Sequence, residues 1–183
     1  MKKQKQTSNA NSARDNITAI TACLRTLSAE LKNKTAGKST EIIKKAFGKL
    51  GERQNWNVCA SSRKPNGKPR FESEWLLDLI WYRYIAKKGG KNKGLIIGLA
   101  IESEWSHHFS DLRYDFEKLI VIKSPYKVFI FQAKENDKDK FIRDLESAIV
   151  DCHHSSQNET YIFACWNLTK PGGFEIKIKK IPS

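Results

Sequence analysis

Apolar residues along the chain alternate between helical and strand spacing. From Asp15 the positions Ile17, Ile20, Leu24, Leu27 and Leu31 recur at helical intervals with polar residues between them, which predicts an amphipathic helix. Lys32 to Lys38, containing Gly37, breaks the pattern. Ser39-Thr40-Glu41 then opens a second helix that runs to about Leu50 and stops at Gly51, so a helical hairpin precedes the rest. Trp56 to Ala60 reads as a short strand. Leu76 to Tyr84 is rich in aromatic and β-favouring residues and is read as a strand, although Trp75, Leu79 and Tyr82 also keep a helical interval. Leu95 to Glu104 is the next strand, joined to it through Lys87 to Lys93, where Gly89-Gly90 marks a hairpin turn.

Beyond Trp105 the spacing changes again. Leu112, Phe116, Leu119 and Ile120 predict a helix from Asp111 to about Ile122, ended by Ser124-Pro125. Tyr126 to Gln132 is a strand. Asp137 to Asp151 returns to helical spacing through Phe141, Leu145, Ile149 and Val150. Thr160 to Asn167 and Phe174 to Ile181 are strands joined by the turn Lys170-Pro171-Gly172-Gly173. This order implies an α/β fold, a mixed central sheet flanked by helices.

The length, 183 residues, suits one domain with a proper core. It divides into a helical hairpin over 13–52 and a sheet core over 56–183. Residues 1–12 are Lys, Gln, Ser and Asn with little to bury, and are expected to form a flexible basic tail. Thirty-three Lys and Arg against 20 Asp and Glu give a net charge of +13, which favours nucleic acid or an anionic surface as partner. No apolar run approaches the length of about 20 residues that a membrane span needs. The Lys-rich start is followed by polar residues where a signal peptide would be apolar, so a cytoplasmic protein is expected. Cys23, Cys59, Cys152 and Cys165 show no C-x-x-C pair and mostly sit in apolar settings, as buried free thiols do.

Charge identifies a partner class, and the chemistry has to come from the acids. Gly98-Leu99-Ala100-Ile101-Glu102-Ser103-Glu104-Trp105 is an apolar strand ending in two glutamates one residue apart, so both carboxylates project from one side. Their repulsion is relieved by a hard divalent cation, Mg²⁺ or Mn²⁺. Asp78 is the one charge in Leu76-Leu77-Asp78-Leu79-Ile80-Trp81 and needs a partner or a function. Hairpin pairing would bring Asp78, Glu102 and Glu104 to one edge around one or two ions. Phosphodiester hydrolysis also needs a cationic side chain against the developing charge. Lys118, three residues after Asp115 and on the same helical face, is the leading candidate, ahead of Lys134. Asp115 is equally readable as the partner of Lys118 in a plain intrahelical ion pair, or as a structural cap.

Other groups are weaker. His107-His108, and Cys152-His153-His154 with Cys165, do not follow a zinc-finger spacing. Trp75, Trp81, Tyr82 and Tyr84 are read as core packing before base stacking. Arg63, Lys64, Lys68 and Arg70 around Ser61 to Arg70, with Lys91 and Lys93 in the second basic loop, are natural phosphate contacts or equally solvated loop surface.

An Asp in an apolar strand, a hairpin to Glu-x-Glu-Trp, and a helix carrying Asp-Phe-Glu-Lys-Leu resemble the PD-(D/E)XK nuclease superfamily, over roughly Glu41 to Ile130. That superfamily, the fold of many restriction endonucleases, normally ends its acidic strand in Asp or Glu, any residue, then Lys. Glu104 stands at the Lys position here, and Lys118 matches a lysine moved to the following helix. The resemblance implies a restriction-endonuclease-like sheet and a Mg²⁺-dependent nuclease, with DNA the expected substrate and Mn²⁺ an alternative ion. It implies Asp78 and Glu102 as principal metal ligands, Glu104 as a further ligand or base, Lys118 as the phosphate-facing cation, and Glu41 as an additional acid. It further implies a 5′-phosphate product, and a homodimer where both strands are cut together. The rival reading keeps the fold and charge without turnover, as a nucleic-acid-binding regulator or complex subunit.

Overall fold

A computed structural model of the chain describes residues 2–60, 76–86, 93–152, 158–169 and 172–182, with side chains from Asp15 onward and only the backbone at Ala86 and Lys93. Two helices come first, α1 (Lys2–Leu31) and α2 (Ala36–Arg53). Strands β1 (Asn57–Cys59), β2 (Leu79–Ala86) and β3 (Lys93–Glu104) then form an antiparallel meander. Helix α3 (Phe109–Val121) crosses to β4 (Tyr126–Ala133), and α4 (Glu135–Asp151) crosses to β5 (Thr160–Asn167). Both strands lie parallel to β3, a pairing that cannot be closed by a tight turn and so needs a crossover. The last strand, β6 (Phe174–Lys180), returns antiparallel, and the six-stranded mixed sheet follows chain order from edge to edge.

Each sheet face has its own core. Leu112 and Phe116 of α3 and Leu145 and Ile149 of α4 pack with Ala100, Phe129 and Phe163. On the opposite face Ile20, Leu24 and Phe47 of the helical hairpin pack with Leu99, Ile101, Val128 and Ile162. Strands buried on both sides account for the unbroken apolar run from Val128 to Phe131.

Several boundaries differ from expectation. Helix α1 begins at Lys2, so the stretch expected as a tail is helical; it contains no Pro or Gly that would stop a helix. Gly51 lies inside α2, because a Cβ there would stand 2.6 Å from Nε1 of Trp81. Strand β2 starts one residue after Asp78. Leu77 packs in the α3–α4 core and Leu79 in the α1–α2 core, whereas residues two apart in a regular strand share a face, so the chain turns at Asp78. Trp81 and Tyr82 are buried, but Tyr84 is 55% exposed. Past Tyr82 the strand has outrun its pairing with β1, and β3 pairs with β4 only from Leu99 onward. Trp75 lies outside the described residues. None of the four cysteines is in a disulfide, and burial pushes the Cys23 and Cys165 thiols up to about 11 and about 12.

Candidate functional site

The alternation of β3 sends Glu102 and Glu104 towards α3. Glu102 is buried at 4% exposure, and Lys118 Nζ stands 3.7 Å from its Oε1. The same ammonium lies 2.6 Å from Asp115 Oδ1, one turn back on α3. Glu104 accepts the backbone N–H of Ser106 at 2.6 Å and shares a hydrogen bond with Asp115. Burial, followed by that contact with Asp115, raises the Glu104 pKa above the usual carboxylate range. Burial works against the charge on Lys118, but its hydrogen bond to Asp115 and the charges of Glu102 and Asp115 outweigh it and raise its pKa. One ammonium thus contacts two of the three carboxylates, Glu102 and Asp115, while Glu104 shares a hydrogen bond with Asp115. Their oxygen-only donor set suits a hard divalent cation.

Asp78 turns the other way. Its Oδ2 accepts the Ser103 N–H at 2.9 Å and the Ser103 hydroxyl at 2.6 Å, and its Oδ1 lies 3.0 Å from Lys44 Nζ. Ser103 Oγ is 3.1 Å from Thr40 Oγ1, which also accepts the indole N–H of Trp105 at 3.0 Å. The structure therefore gathers Glu102, Glu104, Asp115 and Lys118 on the α3 side and places Asp78 in a separate network on the α2 side. Among the described residues, no three His, Cys, Asp or Glu side chains surround one point as metal ligands. Lys44 was missed by sequence reasoning. Its signal was there, since Thr40, Ile43, Lys44 and Phe47 fall at the spacing of one inner helical face, where a lysine requires an acid.

Glu41 contacts Lys45 and Lys38 along its own helix, at 2.5 and 2.9 Å, and these hold its carboxyl at about 2. Lys134 caps the start of α4 and is exposed. His107 and His108 are exposed, with His107 Nδ1 3.5 Å from Gln132 Nε2. Arg63, Lys64, Lys68, Arg70 and Lys91 lie outside the described residues, as does the side chain of Lys93. His153 and His154 lie outside them too. No helix among the described residues is long and apolar enough to cross a membrane. Set beside protein-family models, curated proteins and solved structures, the chain matches none.

Proposed function

We propose that this protein is a nuclease dependent on Mg²⁺ or Mn²⁺ that hydrolyses phosphodiester bonds, with DNA as substrate, on a restriction-endonuclease-like fold. The supporting observation is the contact of Lys118 with Glu102 at the end of β3, inside a group that also holds Glu104 and Asp115. Glu102, Glu104 and Asp115, which do not surround one point in the geometry present, would have to draw together to hold the ion. The bound cation would supply charge neutralisation at the phosphate and lower the pKa of a water. Lys118, tied to α3 by Asp115, faces charge developing on the phosphate oxygens. Glu104 would serve either as a further ligand or, left off the ion, as the base that accepts a proton at its carboxylate. Asp78 can join as the ligand that the family resemblance implies only by leaving Lys44; in the geometry present it fixes the end of β3 through Ser103. The surrounding charge of +13 draws a polyanion towards this acidic group.

The second reading, a nucleic-acid-binding protein without turnover, is favoured by the ion pair that holds Asp78 apart from Glu102. Incubating plasmid DNA, single-stranded DNA and RNA with Mg²⁺ or Mn²⁺ separates the two. The nuclease reading expects cleavage by the wild type, lost in Glu102→Gln and Lys118→Ala while salt-sensitive binding persists. Binding without cleavage of any substrate, unchanged in Glu102→Gln, would leave only the second reading.

A further inference from the structure

On the α2 side of β3 a cavity of about 300 Å³ opens between the α1–α2 connection and the C-terminal ends of β3, β4 and β5. We propose that it binds an unpaired nucleobase, with Lys32 and Lys34 at its rim taking the adjoining phosphate. The idea that this base belongs to a substrate strand rests on the nuclease reading; the cavity's chemistry does not.

Two half-buried tryptophans, Trp105 and Trp166, line the cavity. Both rings are held in place. Trp105 donates its indole N–H to Thr40 Oγ1 at 3.0 Å, and Trp166 meets Phe174 edge-on, with ring centroids 5.5 Å apart and planes at 76°. Fixed aromatic faces are stacking platforms that lose little freedom on binding, and every base offers a π-face to them. Gln132 adds an amide, its nitrogen directed to the carbonyl of Trp105, so the wall carries a polar group suited to a base edge.

Charge selects the rest of the ligand. Lys32 and Lys34 are exposed, and no Asp or Glu lines the cavity. A neutral aromatic metabolite would have no use for both lysines, and a bare phosphate none for the tryptophans. A nucleotide unit uses both. Trp105 directly follows Glu104, and strand alternation sends the two to opposite sides of the sheet. A base held here therefore anchors its strand one residue from the acidic group without entering it.

The test is tryptophan fluorescence in EDTA, where no cleavage occurs, with adenosine 5′-monophosphate, an eight-nucleotide oligothymidylate, a blunt fully paired duplex and inorganic phosphate at matched ionic strength. The mononucleotide and the single strand should both quench. Phosphate and the blunt duplex should leave the Trp166 signal, isolated by difference against Trp166→Phe, unchanged. Trp166→Leu should weaken binding about tenfold or more, as loss of one stacking face does, whereas Trp166→Phe should bind within about threefold of wild type. Lys32→Glu with Lys34→Glu, both exposed and safe for folding, should weaken binding to a similar degree even if Trp166→Leu fails to fold. Tighter binding of the oligonucleotide identifies a strand as the source of the base, and equal binding a free nucleotide. Wild-type affinity in Trp166→Leu or in the double lysine variant, or equal quenching by phosphate, would overturn the assignment. Base binding without any cleavage refutes only the nuclease reading; cleavage without base binding refutes only the cavity.

Discussion

Lys44 Nζ lies 3.0 Å from Asp78 Oδ1, and this ion pair, with side chains 9% and 15% exposed, ties α2 to the entrance of β2. Removing one member leaves the other charged and largely shielded from water, so Lys44→Met should cost about 2 to 4 kcal/mol in urea unfolding. Asp78→Asn keeps an acceptor for Ser103 and should cost less. The same variant reports on function. Loss of cleavage beyond about a hundredfold with a small change in melting temperature would make Asp78 an ion ligand; activity that merely follows stability would make it a strut.

At the acidic group, Glu102→Gln and Lys118→Ala should each lower cleavage by at least about a hundredfold, the scale on which groups aimed at developing charge act. Asp115→Asn, which removes a proposed ion ligand and also loosens Lys118, should lower cleavage on the same scale. A Lys118→Ala protein that cuts at the wild-type rate would eliminate Lys118 as the phosphate-facing cation.

The shared hydrogen bond between Glu104 and Asp115 predicts a pH dependence. The folded pKa of Glu104 lies above its ordinary value of 4.5, so its contribution to stability is complete below that value and is lost as pH rises through the folded one. Glu104→Gln, which mimics the protonated acid, should therefore melt higher than wild type at pH 8 in EDTA. The difference should close by pH 4. A constant offset across that range would show that the group does not titrate as described.

At the opposite end of the parallel strands, the fully buried Lys127 places Nζ 2.6 Å from Glu159 Oε2 and 3.0 Å from the Tyr161 hydroxyl. Burial pushes Lys127 down and Tyr161 up. Lys127→Met should destabilise by about 3 to 5 kcal/mol because it strands a buried carboxylate. Adding Glu159→Leu should restore much of that loss, and a double variant no better than the single would show that the carboxylate is not the cause.

Gly51→Ala places a methyl against the Trp81 indole, whose N–H donates to the Phe47 carbonyl at 3.0 Å. Overpacking there should cost about 1 to 3 kcal/mol, although alanine favours a helix. A melting temperature equal to or above wild type would show that Trp81 moves freely.

The amino-acid sequence alone determined the local elements and one side of the site. Helical spacing in Leu112 to Ile120 and strand alternation in Leu99 to Glu104 depend only on neighbours, so the helices, the strands and the common side of Glu102 and Glu104 were readable, as was Lys118 beside Asp115. Tertiary structure decided what depends on residues far apart in the chain. The turn between Leu77 and Leu79 arises because two separate cores claim leucines two residues apart, and it carries Asp78 away from the glutamates towards Lys44. Gly51 was read as a stop because its need for space comes from Trp81, thirty residues later. The tryptophan cavity likewise exists only where the ends of three strands meet the α1–α2 connection. Local periodicity follows from backbone geometry within a few residues, whereas a side chain's partners are set by which surfaces the whole chain brings together to exclude water.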